Sequence, residues 1–429
     1  MTTWYVIIPF AFILLAFILR LPISFAMIGG SIVYLIAKGI NIANFFFTSL
    51  FGMYEAYVLI AIPLFIFTAN AMNATQTTDK MFNFARALIG RKHGATGYVN
   101  ILASLIFAGM SGSALADATG LGIIEIEQMR KEGYDAGFSC ALTGASSVVG
   151  AIFPPSIPLI VFGMISGASV GKLLMGGMVP AIIICILMGF YVYFISKKRK
   201  YPIGEKVSFK YFVRSTFKAL PALLTPVILL SGIYTGIMTP TEAGAVAAAY
   251  TLIIALIVYR TLNFKALKKL LIKTLEAFGP VFLMIAAART YIYIISIEQV
   301  ANVILNFVSG FVSSPAVFLI VVNIIFLILG CFTDMAIGMY IMVPMILPLV
   351  HYFGIDLVHF GVMIVLNMMI GLMTPPFGML LFVTASVGKI DLKVMIGESL
   401  PLVGVLLVAL IIITAFPDTV LFVTRLMGR

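Results

Sequence analysis

Thr143-Gly-Ala-Ser-Ser-Val-Val-Gly-Ala-Ile-Phe-Pro-Pro-Ser156 has a partner 221 residues on, in Met369-Ile-Gly-Leu-Met-Thr-Pro-Pro-Phe377, so that Pro154-Pro155 falls on Pro375-Pro376 and Gly150 on Gly371. Two adjacent prolines remove two N–H donors and leave carbonyls without helical partners, so each stretch reads as a helix broken at its middle. The same spacing carries Gly109 to Gly330, Gly133 to Gly354 and Asp135 to Asp356. A shortening by four residues then brings Ala168-Ser-Val-Gly-Lys172 onto Ala385-Ser-Val-Gly-Lys389, and Pro180 and Pro401 return to the first spacing. Glycine and proline mark special backbone geometry, so the two halves share breaks as well as helices.

The surrounding composition is that of a membrane protein. The 429 residues are 62% hydrophobic and 10% charged, with a mean hydropathy of +1.16, whereas soluble domains carry roughly 25% charge. Stretches such as Trp4 to Leu19, Val179 to Ile195 and Leu400 to Phe416 approach the roughly 20 apolar residues of a spanning helix. The net charge of +11 gathers in Lys197-Lys-Arg-Lys200 and in Lys265 to Lys273, each beside an apolar segment. Positive-inside topology explains such runs better than nucleic acid does, and it places 197–219 and 260–273 in the cytoplasm. Cys140, Cys185 and Cys331 lie in apolar segments at no metal-like spacing and read as small buried hydrophobes. The N-terminus lacks a charged n-region and a cleavage site, so the first helix reads as a retained anchor.

The expected fold is therefore an all-α polytopic membrane protein of two repeats. Residues 1–196 form the first, with a hairpin at about 98–128 and a broken helix at about 138–165. Residues 197–219 form a basic linker, and 220–429 the second repeat, with a hairpin at about 318–348 and a broken helix at about 358–384. Arg20 follows the first helix, whereas the equivalent loop Met238-Thr-Pro-Thr-Glu242 has no basic residue; Lys38 runs against this bias. The charge pattern implies opposite insertion of the halves, with the N-terminus periplasmic and the linker cytoplasmic. Inverted repeats with matching glycine and proline breaks are a signature of secondary transporters.

Two kinds of segment carry chemistry. Phe107-Ala-Gly-Met-Ser-Gly-Ser-Ala-Leu-Ala-Asp117 lies between the apolar arms Tyr98 to Ile106 and Leu121 to Ile126, each too short to cross. This reads as a re-entrant hairpin whose Gly/Ser tip must line a cavity or be buried in protein. Its counterpart is Leu329-Gly-Cys-Phe-Thr-Asp-Met-Ala-Ile-Gly338, flanked by Val321 to Ile328 and Met339 to Ile346. At the double prolines, freed carbonyls and Ser/Thr hydroxyls suit a hard cation such as Na+, and helix N-termini beginning there favour an anion. Ser111, Ser146 and Ser147 are candidate substrate ligands, as are the intramembrane ionisable residues Asp117, Asp334 and Arg289. Arg289 offers a planar fork to a carboxylate, or serves as a structural partner for Glu298. His93, His351 and His359 read as loop or interface residues.

The plainer readings are a helix-packing spot for Ser-Gly-Ser and a kink for Pro-Pro; the occurrence of both twice, in register, favours a site. A rival from another class is an intramembrane serine protease with Ser111 as nucleophile, since Gly109-Met-Ser111-Gly112 has the Gly-x-Ser-Gly form. It needs a histidine base on a neighbouring helix, and it gives no reason for duplicated double prolines. No Walker A, His-Glu-x-x-His or dinucleotide fingerprint is present.

Gly232-Ile-Tyr-Thr-Gly-Ile-Met-Thr-Pro-Thr-Glu-Ala-Gly-Ala-Val-Ala-Ala-Ala-Tyr250 resembles the signature of the large membrane subunit of TRAP (tripartite ATP-independent periplasmic) transporters, of the DctM and SiaM type. Ile62-Pro-Leu-Phe-Ile66, Phe107 to Asp117 with Gly133-Tyr134, and Phe153-Pro-Pro-Ser-Ile-Pro158 resemble the same family in the same order, from about Leu21 to the C-terminus. The resemblance implies an elevator mechanism in the bacterial inner membrane, with Na+ as coupling ion at two or more sites. It implies as partners a small four-helix membrane subunit, expected as a separate chain because no such extension precedes Met1, and a soluble periplasmic substrate-binding protein. By the same resemblance Ser111, Ser113, Gly150 and Pro154 fall at the first Na+ position, and Thr333, Gly371 and Thr374 at the second. The second hairpin departs from Ser-Gly-Ser, having Phe332-Thr-Asp334. The family's substrates are mostly carboxylates; the wording of Phe107 to Asp117 is nearer the sialic-acid branch, with a C4-dicarboxylate or another sugar acid as the alternative.

Overall fold

A computed structural model describes residues 5, 7–19, 21–43, 45, 47, 56–74, 77–310, 312 and 314–427. Helices α1 (Ile7–Leu19) and α2 (Ile23–Ala37) pack on each other, followed by α3 (Ala61–Ala74) and α4 (Thr77–Ile89). A helical hairpin comes next, with α5 (Ala95–Ser111) as one arm and α6 (Ala114–Thr119) plus α7 (Leu121–Lys131) as the other. Helix α8 (Ala136–Ser147) passes through a 3-10 turn at Val148–Ala151 and the double proline before α9 (Ile157–Ser166) resumes. Helices α10 (Val170–Gly176) and α11 (Met178–Lys198) complete this half.

Helices α12 (Phe209–Tyr234), α13 (Pro240–Ile253), α14 (Phe264–Ile297) and α15 (Val300–Ser309) lead into a second hairpin, α16 (Pro315–Phe332) and α17 (Met335–Tyr352). A second interrupted pair, α18 (Leu357–Leu372) and α19 (Met379–Gly388), precedes α20 (Leu392–Ala415) and α21 (Asp418–Met427). Among the described residues, eight helical segments are long and apolar enough to cross a membrane. The sequence sets the starts: Thr239 and Glu242 form a capping box before Pro240, and Ser314, Asp334, Asp356 and Asp391 cap the helices that follow them.

Two groups of helices can be told apart by their packing. α2, α3, α13 and α14 pack together, with α4 on α12, while α8 packs on α5, α7, α19 and α20, and α18 on α16. Helices α8 and α18 are buried along nearly their whole length. The hairpin tips are fixed by close backbone approach. Gly112 has φ +62°, and a Cβ there would lie 2.3 Å from the Pro155 carbonyl oxygen; the Ile157 N–H donates to Gly112 O at 3.2 Å. In the second half α16 crosses α18 at Gly330 and Gly371, where a Cβ on Gly371 would lie 2.5 Å from Gly330 Cα. Both Pro154–Pro155 and Pro375–Pro376 are joined by cis peptide bonds.

Several sequence expectations change in detail. The arms of the second hairpin are 18 residues each, about 27 Å at 1.5 Å per residue, so arm length alone does not distinguish them from spanning helices. The basic segment 197–219 is helical at both ends, and only 199–208 lies outside α11 and α12. That connection is docked rather than loose: Gly94 N–H donates to Pro202 O at 3.1 Å and Gly204 N–H to Lys92 O at 3.0 Å. At its root Arg199 donates to Asp135 and to both carboxylate oxygens of Glu398, each at 2.9 Å. The Tyr201 hydroxyl and Arg199 hold the Asp135 carboxyl below its usual range. His359 stands in the first turn of α18 beside its Asp356 cap, and its ring is buried and paired with Ile413 O at 2.9 Å. Arg20 lies outside the described residues.

Candidate functional site

The Ser-Gly-Ser tip exists because α5 stops at Ser111, Gly112 takes the left-handed conformation, and Ser113 restarts the chain as the cap of α6, with Ala116 N–H donating to its hydroxyl at 3.4 Å. Across from it α16 ends at Phe332, and Asp334 caps α17 by accepting from Ala336 N–H at 2.9 Å. Both tips face one cavity of about 350 Å³, lined by Ser111 to Ala116, by Asp334 to Ala336, by Ala151, Ile157, Pro158 and Val161 of the first break and α9, and by Met369 and Leu372 of α18. The far wall is Ile66, Ala69 and Asn70 of α3 with Ala277 and Val281 of α14.

The electrostatics of this cavity are one-sided. Among the described residues its lining has one carboxylate, Asp334, and no basic side chain. Positive potential comes from the N-terminus of α9, whose first residues line it and which carries roughly half a positive charge; the N-terminus of α17 also faces it but is countered by its Asp334 cap. Hydrogen-bonding groups are few: Ser111, Ser113 and Asn70. Ser111 Oγ is buried with no hydrogen-bond partner among the described residues.

The candidate residues divide into three places. Ser111, Ser113 and Asp334 line the cavity, and Gly150 lies against the Ser113 carbonyl, where a Cβ would sit 3.4 Å from its oxygen. Pro154 belongs to the break that holds the tip. Thr333 stands at the second hairpin tip and Gly371 and Thr374 at the second break, and none of the three is among the residues that line the cavity; the Thr333 and Thr374 hydroxyls donate to Leu329 O and Ile370 O at 2.9 and 2.7 Å. Their oxygens keep lone pairs free for a cation.

Asp117, Ser146 and Ser147 lie behind the first hairpin. Ser146 donates to Asn100 Oδ1 at 2.8 Å and pairs with Ser104 at 3.0 Å, and Ser147 donates to Thr143 O at 2.7 Å. The Ser104 hydroxyl also lies 3.3 Å from a carboxyl oxygen of Glu125. Asp117 is fully buried, and neither of its carboxylate oxygens has a partner among the described residues. Sequence reading passed over Asn70, Asn100, Ser104 and Glu125. Asn100 and Ser104 stand four residues apart on one face of an apolar helix, a signal that was available; Asn70 carries none.

Arg289 is elsewhere. It lines a second cavity of about 530 Å³ with Met164, Ile165, Tyr293, Ser296 and Tyr340. It does not pair with Glu298, which is held by Lys38 at 2.7 Å and by the Tyr34 hydroxyl at 2.6 Å. That pairing also gives the contrary charge of Lys38 a local reason.

Comparisons with known proteins bear on the whole chain. A family model described as "Tripartite ATP-independent periplasmic transporter, DctM component" matches residues 10–419. The sialic acid TRAP transporter large permease protein SiaM of Vibrio cholerae is 38% identical over 406 residues, 95% of each chain. The C4-dicarboxylate TRAP transporter large permease protein DctM of Pseudomonas aeruginosa is 36% identical over 379 residues, covering 88% of this chain and 89% of that one. Among solved structures, the Alcanivorax borkumensis YdaH transporter superimposes with a TM-score of 0.63 at 12% identity, covering 85% of each chain. At that identity the likeness is one of fold alone.

Proposed function

The chain belongs to the DctM component family of tripartite ATP-independent periplasmic transporters, and from that premise we propose that it is the large permease of a Na+-coupled importer of a carboxylate-bearing organic anion, with sialic acid as substrate. As a transporter permease it is not an enzyme, and Ser111 is not a protease nucleophile. The observation that carries the proposal is the single cavity on which both hairpin tips and the first broken helix converge without a basic side chain. A C4-dicarboxylate is the second reading, favoured by the P. aeruginosa relative.

In this reading the halves are inverted repeats and the hairpins are re-entrant. The body holding α5–α9 and α16–α19 slides against a scaffold that includes α3, α13 and α14. The basic 197–219 segment is cytoplasmic and the N-terminus periplasmic, by the positive-inside bias. The family's tripartite make-up supplies a small membrane subunit and a periplasmic binding protein as partners.

The donor set fits Na+. Ser111 Oγ is a buried oxygen without a partner among the described residues, and the break beside Gly150 and Pro154 adds carbonyls of the kind hard cations take. Ser111, Ser113, Gly150 and Pro154 would hold one ion, and Thr333, Gly371 and Thr374 a second. When bound, Na+ supplies the positive charge that lowers the cost of an anion in a low-dielectric cavity. The residues of the chain do the rest: Asp334 and the α17 N-terminus order the second tip, Ser113 caps the first, and Asn70 presents an amide to whatever the tips hold.

The expected outcome in proteoliposomes is no uptake of N-acetylneuraminate by the isolated chain, and uptake when the small subunit and sialate-loaded binding protein are supplied. Uptake by the chain alone would overturn the tripartite reading. Uptake of succinate but not N-acetylneuraminate, with the matching binding protein, would select the second reading.

A further inference from the structure

The cavity around Arg289 adjoins the hairpin cavity along three shared helices. On α14 the hairpin cavity ends at Val281 and the second begins at Ile285; on α9 the change falls between Val161 and Met164, and on α17 between Ala336 and Tyr340. At 1.5 Å per residue Arg289 stands about 12 Å beyond Val281. It is partly exposed, and among the described residues it has neither an ion pair nor a hydrogen bond. The Tyr340 hydroxyl, buried and without a partner there, lies within the field of the guanidinium.

A guanidinium held at membrane depth without an acid is costly unless water or an anion compensates it, and its fork matches a carboxylate. We propose that this cavity is a second, outer anion site, in which Arg289 and Tyr340 hold the carboxylate of the substrate before it reaches the hairpin tips. The site rests on the transport direction and orientation proposed above, since α14 runs from its basic start at Lys265 towards Arg289. It divides labour between the two cavities. Arg289 belongs to α14 of the scaffold and Tyr340 to α17 of the sliding body, so the anion is captured where the two parts meet, its charge matched by the scaffold's guanidinium. The hairpin cavity has no basic side chain among the described residues and carries the anion onward without that strong grip, which would otherwise hold it at the surface.

Charge-selective thiol modification in the full chain tests the site without assuming a substrate. With Ser296→Cys, set against the same chain without that change, a negatively charged thiosulfonate reagent should react faster than a positively charged one. Arg289→Gln should cut that preference about ten-fold or more. A preference that is absent, or unchanged by Arg289→Gln, overturns the site. In the assembled transporter Arg289→Gln should raise the KM for N-acetylneuraminate about ten-fold, more than it changes the maximal rate, with partial recovery in Arg289→Lys. Tyr340→Phe, which keeps the packing, should raise KM by less. A loss confined to the maximal rate would also overturn the proposal. Failure of the unmodified transporter to take up N-acetylneuraminate would remove the sialic-acid reading instead, and the modification ratio would then decide the outer site by itself.

Discussion

Gly112 shows how much one residue decides. Its φ of +62° disfavours any side chain, and the Pro155 carbonyl oxygen fills the space a Cβ would need. Gly167 has φ +74° but nothing within 4 Å. Gly112→Ala should therefore destabilise by about 3 kcal/mol and Gly167→Ala by about 1 kcal/mol, read as rates of thermal inactivation of the purified chain. Equal effects would mean that the tip is not seated on the break. The sequence announces such residues well when they stand at interruptions: Ser111 and Ser113 stood out beside glycine, whereas Asp334 stood out as an ionisable residue in an apolar segment. Asn70 did not, because it sits in an uninterrupted apolar helix with no counterpart in the other half. Asp117, Ser146 and Ser147 were chosen for their chemistry, yet they face the Asn100–Ser104–Glu125 group behind the hairpin. Sequence proximity to a tip does not say which face of the next helix a side chain takes.

At the scale of elements, the breaks were legible and the lengths were not. The double prolines and the 221-residue spacing locate both interruptions, since proline's missing N–H acts wherever it stands. Helix ends depend on caps and tertiary packing, which is why α16 and α17 run beyond the apolar cores that mark them. The crossing of α16 on α18 rests on Gly330 and Gly371. Gly371→Ala should cost about 1–3 kcal/mol because backbone must move. Gly397→Ala, within α20 and with nothing within 4 Å, should be neutral or stabilising. Thermal inactivation of the two variants checks the contrast; a stable Gly371→Ala chain would deny that this crossing is tight.

For the whole molecule, composition and repeat give the all-helical membrane class, and the matched family gives the permease. The spatial separation of Arg289 from the hairpin tips is a tertiary fact that no spacing encodes, because three helices distant in sequence, α9, α14 and α17, build both cavities. In the proposed function the hairpin cavity, with no basic side chain among the described residues that line it, takes its anion with Na+. Uptake of N-acetylneuraminate by the assembled transporter in proteoliposomes, driven by an imposed Na+ gradient or by a proton gradient, tests it most directly. The expected outcome is uptake that requires Na+ and, for Ser111→Ala, a higher Na+ concentration at half-maximal rate without loss of thermal stability, since that hydroxyl has no hydrogen bond among the described residues to lose. Uptake that ignores Na+ and follows the proton gradient would contradict it.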